Sequence, residues 1–250
     1  MKRKRFVLCI AYSVSIFFVG TLLSTMLVLA SDVPWKGKPY DQWSENDVER
    51  IFADSPWTRT VAVPRSWSIY SANDGQQNDQ LHGADRGLPL DSNRSERASN
   101  DSAVNFSVDW ASSRPMRAAA ARRGILRGKQ KSLDLEKYAN EPQAEYQIIV
   151  QSRDMKPFDR HDEKFFEQNA YLLTKKTKQK IPANHVQYER DENGGKVTSV
   201  IFFFPKKTAS GDPSIAIGEK GITFVCKIEE SQLRANFEPE KMVDGLGPTL

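Results

Sequence analysis

HVQYERDENGGKVTSVIFFF, residues 185–204, holds two runs of strand-forming side chains around a polar loop. His185 to Glu189 and Val197 to Phe204 flank Arg190-Asp191-Glu192-Asn193-Gly194-Gly195, whose glycines supply the positive φ angles a hairpin loop needs. The second run, Val200-Ile201-Phe202-Phe203-Phe204, is apolar on both faces, which predicts a central strand covered on both sides. Pro205 ends it, because a proline cannot donate to the ladder.

Outward from this hairpin the same period of two recurs. Ile222, Phe224, Cys226 and Ile228 alternate with polar or smaller residues, and so do Leu233, Ala235 and Phe237, so a second antiparallel pair is expected. Upstream, Val104, Phe106, Val108 and Trp110 alternate with Asn105, Ser107 and Asp109, as in a half-buried strand. Tyr146 to Val150 and Arg59 to Val63 complete the expected strands.

Helices are expected between them. Ser113 caps a helix with Pro115 in its first turn, running to Arg123 and ended by Gly124. Residues 132–138 form a further short helix. A longer one opens at Asp159, with Phe166, Ala170 and Leu173 on one stripe and Lys175, Lys176 and Lys178 at the C-terminal end, where cations suit the helix dipole. Strands joined by hairpins, with helices set apart, predict an α+β fold: a mainly antiparallel sheet with a few helices packed on it, plus an N-terminal hydrophobic helix.

The N-terminal helix of the folded part lies in KPYDQWSENDVERIFADSPW, residues 38–57. Ser44 is an N-cap, and Asp47 three residues later approximates a capping box. Trp43 before the cap and Val48 in the helix make a hydrophobic staple. Val48, Ile51 and Phe52 line one face, and Pro56 stops the helix by biasing Ser55 away from helical angles.

The ends and the middle of the chain read differently. Lys2 to Arg5 are basic, and residues 6–30 contain no charge. With a small-residue site at Ala30, residues 1–30 read as a secretory signal; twenty-five uncharged residues are also long enough to stay as a membrane anchor. Either way residue 31 onward lies outside the cytoplasm, periplasmic or extracellular, with residues 6–30 as the alternative inner-membrane anchor. Residues 64–103 read as a mostly disordered insertion. From residue 71 to 102 there is neither an aromatic nor a β-branched side chain to offset ordering entropy. One domain, residues 31–63 plus 104–250, remains.

The net charge of +4 belongs to the leader. With its four bases removed, 32 bases face 32 acids, so charge does not argue for nucleic acid. Cys9 and Cys226 are the two cysteines, and Cys9 falls in the leader, so the mature core holds by packing without an internal disulfide.

Catalytic patterns are sparse. A Cys226–His185 dyad would need Cys226 exposed, whereas its strand face is that of Phe224 and Ile228. No G-x-S-x-G elbow, Gly-rich dinucleotide fingerprint or phosphate loop occurs. Among Asp159, His161, Asp162 and Glu163 the helical ligand spacing joins acids alone and never His161, so they read as acids of a helix's first turn favoured by its dipole; the Asp191 loop misplaces the glycine and glutamate of a calcium loop, so no metal or cofactor is indicated. Two non-catalytic features remain. Arg114, Arg117, Arg122, Arg123, Arg127, Lys129 and Lys131 follow one another without an acid; of these Arg117, Arg122, Arg123 and Arg127 are candidate contacts to an anionic lipid surface, against the alternative of a solvated helix face. Trp35, Tyr40, Trp43 and Trp57 could stack a glycan or peptide or clamp a terminal helix. Tyr40 and Trp57 are the candidate ligand-binding rings, because helix formation does not account for them.

The stretch from Lys38 to Trp57 resembles the N-terminal signature K-P-Y-x-x-W-S-x-x-D-V-x-x-I-x-x-D-S-P-W of a group of uncharacterised exported bacterial proteins. Leu233, Phe237 and Lys241-Met242-Val243 are similar to the end of the same group. Some of these chains are labelled GWxTD domain-containing, and that string is absent here. The resemblance implies export and one shared architecture, and brings no activity or catalytic residues. The expectation is an exported binding or scaffolding protein of the bacterial envelope, with an envelope protein or surface as partner. The alternatives are an envelope hydrolase using acidic residues and a membrane-tethered accessory subunit.

Overall fold

The computed structural model describes residues 33–65, 103–129 and 134–250. The expected leader and N-terminal hydrophobic helix fall outside them, as does nearly all of the expected insertion. The described residues from Pro34 onward form one compact unit.

The hairpin that opens the sequence reading is present. β6 (His185–Arg190) pairs antiparallel with β7 (Val197–Pro205). Its loop is fixed by the Asp191 carboxylate, which accepts from the Gly195 N–H at 2.8 Å, and Gly194 takes a φ of 68°. β7 also pairs with β3 (Glu145–Ser152), β3 with β2 (Ala103–Trp110), and β2 with β1 (Thr58–Pro64), giving the order β1-β2-β3-β7-β6. A second antiparallel sheet has the order β5-β4-β8-β9, from β4 (Ala170–Thr174), β5 (Lys180–Pro182), β8 (Ile222–Ile228) and β9 (Ser231–Phe237).

The fold is therefore α+β and antiparallel, with the expected single sheet replaced by two. Their inner faces meet through aromatic rings: Phe202 and Phe204 of β7 lie 5.1 and 6.2 Å from Phe224 of β8, and Trp110 of β2 lies 5.3 Å from Phe237 of β9. These edge-on contacts are the favourable geometry for buried rings. The sheet behind the triple-phenylalanine strand thus takes the place of the expected helices. Val200, Phe202 and Phe204 are fully buried; Ile201 and Phe203 on the outer face are half-buried, and Phe203 is stacked by His185.

At one corner the chain passes from β5 directly into β6. At the other, the Arg59 Nε–H of β1 donates to the Asn236 carbonyl of β9 at 2.7 Å. β1 runs through Pro64 and β2 starts at Ala103, opposite each other in the ladder, so the chain leaves and re-enters at one point of the sheet edge.

Two groups of helices complete the unit. α1 (Pro34–Gly37), α2 (Glu45–Ala53), α3 (Arg114–Leu126) and α4 (Leu135–Asn140) gather beside β2 and β3, with a 3-10 turn at Tyr40–Gln42. α2 starts with the reciprocal Ser44–Asp47 capping box read from the sequence. α3 continues past Gly124; the glycine that ends it is Gly128, at φ 68°, where a left-handed residue closes the last turn. α5 (Lys156–Asp159) and α6 (Glu163–Asn169) place Phe158 and Phe166 against Phe106 and Phe202.

The expected long helix from Asp159 is corrected here. α6 begins at the Asp162 cap and ends at Asn169, and the residues that follow are strand β4. Ala170, Leu172 and Thr174 point inward with a period of two, and pairing with β8 supplies the ladder that decides the conformation. The apolar run fits either period, so tertiary pairing overrides the helical reading.

Candidate functional site

The aromatics near the N-terminus join the two chain ends. Trp57 is fully buried, its indole N–H donating to the Thr249 carbonyl at 2.9 Å. Trp35 meets it edge-on at 5.7 Å. Tyr40 is buried against Trp43, and its hydroxyl reaches Asp244 at 3.3 Å. Burial, together with the neighbouring Asp244 carboxylate, raises the Tyr40 phenol well above its ordinary value. The partners come from a C-terminal hairpin, β10 (Val243–Asp244) with β11 (Gly247–Pro248). Gly245 lies between them, its N–H bonded to the Trp35 carbonyl; a Cβ there would sit 3.1 Å from the Lys36 carbonyl oxygen. Trp57 therefore presents no free ring face to a ligand, while Tyr40, 6% exposed, borders a hollow of about 220 Å³ with Trp35, Glu136 and Leu246. Both close the clasp between the ends.

The arginine series is engaged within the fold, with Arg117 buried, Arg122 and Arg123 half-buried and Arg127 exposed. Arg117 is buried and donates to the Ala139 and Glu141 carbonyls at 3.1 and 2.7 Å. Arg122 donates to the Trp43 carbonyl at 2.9 Å, and Arg127 faces Glu49 at 3.4 Å. Arg123 lies 4.0 Å over the Phe52 ring. These contacts tie α3 to α2 and α4, which accounts for a basic run with no acid inside it. The four residues do not gather into one open cationic face.

A cleft of about 530 Å³ opens between these helices and the outer face of β2 and β3. The sheet contributes Ser107, Asp109, Gln147, Ile149 and Gln151, all at odd positions of two paired strands. The opposing walls carry Phe52, Arg123, Tyr138 and Gln143. Asp109 accepts from the Ser107 hydroxyl at 3.0 Å and is also hydrogen-bonded by Thr58. It is 7% exposed, and burial pushes its carboxyl up to about 6 despite those bonds and the Arg123 charge nearby. The Arg123 guanidinium makes no hydrogen bond or ion pair among the described residues; it lies over the Phe52 ring, near the Asp109 carboxyl. The site thus offers a cationic donor, a carboxylate acceptor and three amides that can each donate and accept.

The other candidates separate. Cys226 is fully buried on β8 between Ala170 and Leu233, and burial drives its thiol far above the ordinary range. His185 belongs to the other sheet, stacked at 4.0 Å on Phe203. Asp162 accepts from the Phe165 N–H as a helix cap, and Asp159 from the Val197 N–H. Among the described residues no three His, Cys, Asp or Glu side chains are grouped to hold a metal.

Sequence reasoning missed Asp109, Gln147 and Gln151. Asp109 read as the polar member of an alternating strand, Gln147 fell inside an expected strand and Gln151 just beyond it, and only the β2–β3 register and the helices above bring them together. No family, no curated protein and no solved structure matches this chain.

Proposed function

We propose that this chain is an exported binding protein of the bacterial cell envelope, and that it holds a hydroxyl-rich ligand of the saccharide class in the cleft over β2 and β3. The observation that carries the reading is the lining: Ser107, Asp109, Gln147 and Gln151 on the sheet face Arg123 and Gln143 across the cleft, with two aromatic rings among them. A sugar hydroxyl both donates and accepts, and amides and carboxylates on a rigid sheet meet both demands with little ordering cost. Phe52 and Tyr138 supply apolar surface for the carbon face of a ring. The basic, apolar N-terminus and the resemblance to exported bacterial chains support the envelope location.

A hydrolytic reading rests on Asp109, whose raised carboxyl would suit a general acid. Its natural second carboxylate, Glu141, is turned outward, with a 66% exposed side chain directed at Arg117. Titration calorimetry of the full chain with hexose and N-acetylhexosamine oligosaccharides tests the proposal. Binding that disappears in Gln147→Leu and Arg123→Met, with unfolding midpoints kept, is expected. Cleavage of the sugar, followed by mass spectrometry and abolished by Asp109→Asn, would establish the hydrolase instead; absence of binding across the series overturns the saccharide assignment.

A further inference from the structure

A group of exposed bases lies on the sheet that does not form the cleft. Lys175, Lys176 and Lys178 occupy the turn between β4 and β5, Lys180 begins β5, and Lys220 sits in the loop before β8; all five are exposed. None of them is in an ion pair among the described residues. Glu238 and Glu240 lie near Lys175, Lys178 and Lys220, but Glu238 is engaged by Lys241 at 2.9 Å. Glu238, which also feels the Lys175 charge, and Glu240 are the acids on that wall, against Lys175, Lys178 and Lys220.

The two lysine-bearing segments are fastened to each other. The buried Glu219 carboxylate accepts from the Lys176 N–H at 2.7 Å and from the Lys220 N–H at 3.1 Å. These backbone bonds hold its carboxyl below the usual range, against the opposing effect of burial. The lysines are thus presented together on a fixed frame, despite their mutual repulsion. Two residues before Glu219, Ile217 stands at 93% exposure on a turn closed by the Glu219 N–H to Ala216 carbonyl bond. Ile217 stands three residues before Lys220 in the same loop; its side chain gains by leaving water while the amines gain by meeting anions, and an anionic lipid boundary offers both.

We propose that this end of the second sheet docks on an anionic phospholipid surface, with Ile217 entering the boundary between headgroups and acyl chains and Lys175, Lys176, Lys178, Lys180 and Lys220 meeting the phosphates. The lipid contact expected of the arginines on α3 is thereby assigned to a different face. A soluble polyanion would use the lysines and leave Ile217 in water, so the isoleucine favours a bilayer.

Hydrogen exchange read by mass spectrometry localises the contact in the full chain, independently of any lipid affinity of residues 6–30. The probes are vesicles of phosphatidylglycerol with phosphatidylcholine, vesicles of phosphatidylcholine alone, and dextran sulfate. Slowed exchange over residues 175–180 and 216–221 is expected with the anionic vesicles only. Ile217→Ser should weaken it, and each lysine replaced by glutamine should lower vesicle partitioning about fivefold. Equal slowing on neutral vesicles, or none on anionic ones, overturns the proposal. Slowing by dextran sulfate that matches the vesicles and survives Ile217→Ser also overturns it, in favour of a soluble polyanion.

Discussion

Arg114 grips Asp244 with two hydrogen bonds, 2.9 Å from Nε and 2.8 Å from Nη2 to the two carboxylate oxygens. The Asp244 side chain is 1% exposed and also accepts from the Tyr40 hydroxyl and the Leu246 N–H. One carboxylate therefore ties the start of α3, the N-terminal turn and the C-terminal hairpin into a single joint. Removing one partner of a buried pair leaves the other charge uncompensated. Asp244→Ala should lower stability by about 3–5 kcal/mol. A urea midpoint within error of wild type would show that the joint contributes nothing.

Trp57 belongs to the same clasp. Trp57→Phe keeps a ring in the core but orphans the Thr249 carbonyl and leaves a void, at a cost of about 1–3 kcal/mol. Saccharide affinity at the cleft should not change, because Trp57 does not line it. Calorimetry and urea unfolding of the one variant separate the two effects.

Asp109 makes stability depend on pH in a defined direction. Its folded carboxyl titrates near 6 and its unfolded one near the ordinary aspartate value of about 4. Between those values the native state holds a proton that the unfolded state has lost, so stability falls as pH rises through the window. The loss completes above pH 6 and amounts to about 3 kcal/mol. Asp109→Asn should flatten this part of the profile, measured by urea unfolding from pH 4 to 7.

Arg123 separates binding from folding. Its contact with Phe52 is a half-exposed cation–π pair, worth about 0.5–1 kcal/mol. Arg123→Met should shift the unfolding midpoint by no more than that while removing saccharide binding.

Cys226 should be chemically silent. It is fully buried, and its thiol is held far above the range in which thiolate forms. Alkylation at Cys226, read from its own peptide, should follow global unfolding in urea; rapid labelling of the native protein would mean that β8 opens locally.

Local chemistry made much of the architecture legible. The β6–β7 hairpin followed from Asp191 and two glycines between alternating runs, and the α2 cap from Ser44 and Asp47. Both depend on neighbours within a few residues. The misreadings occurred where neighbours in space decide. Tyr171-Leu172-Leu173 suits either period, and the β8 ladder made it a strand. Gly124 looked like a terminator, yet α3 tolerates it and ends at Gly128.

The sequence by itself determined the antiparallel α+β class, the main strands, the capped helices and the balanced charge beyond residue 30, because periodicity, caps and turns are properties of adjacent residues. Only the tertiary structure decided that the main strands divide into two sheets, that Tyr40 and Trp57 close a joint with Asp244 and Thr249, and that Arg117 of α3 is buried on α4. It also decided that Asp109 shares a cleft with Gln147 and Arg123. These are pairings across tens or hundreds of residues, and hydrogen bonds and ring contacts at such separations are set by strand register and packing, which no local pattern encodes.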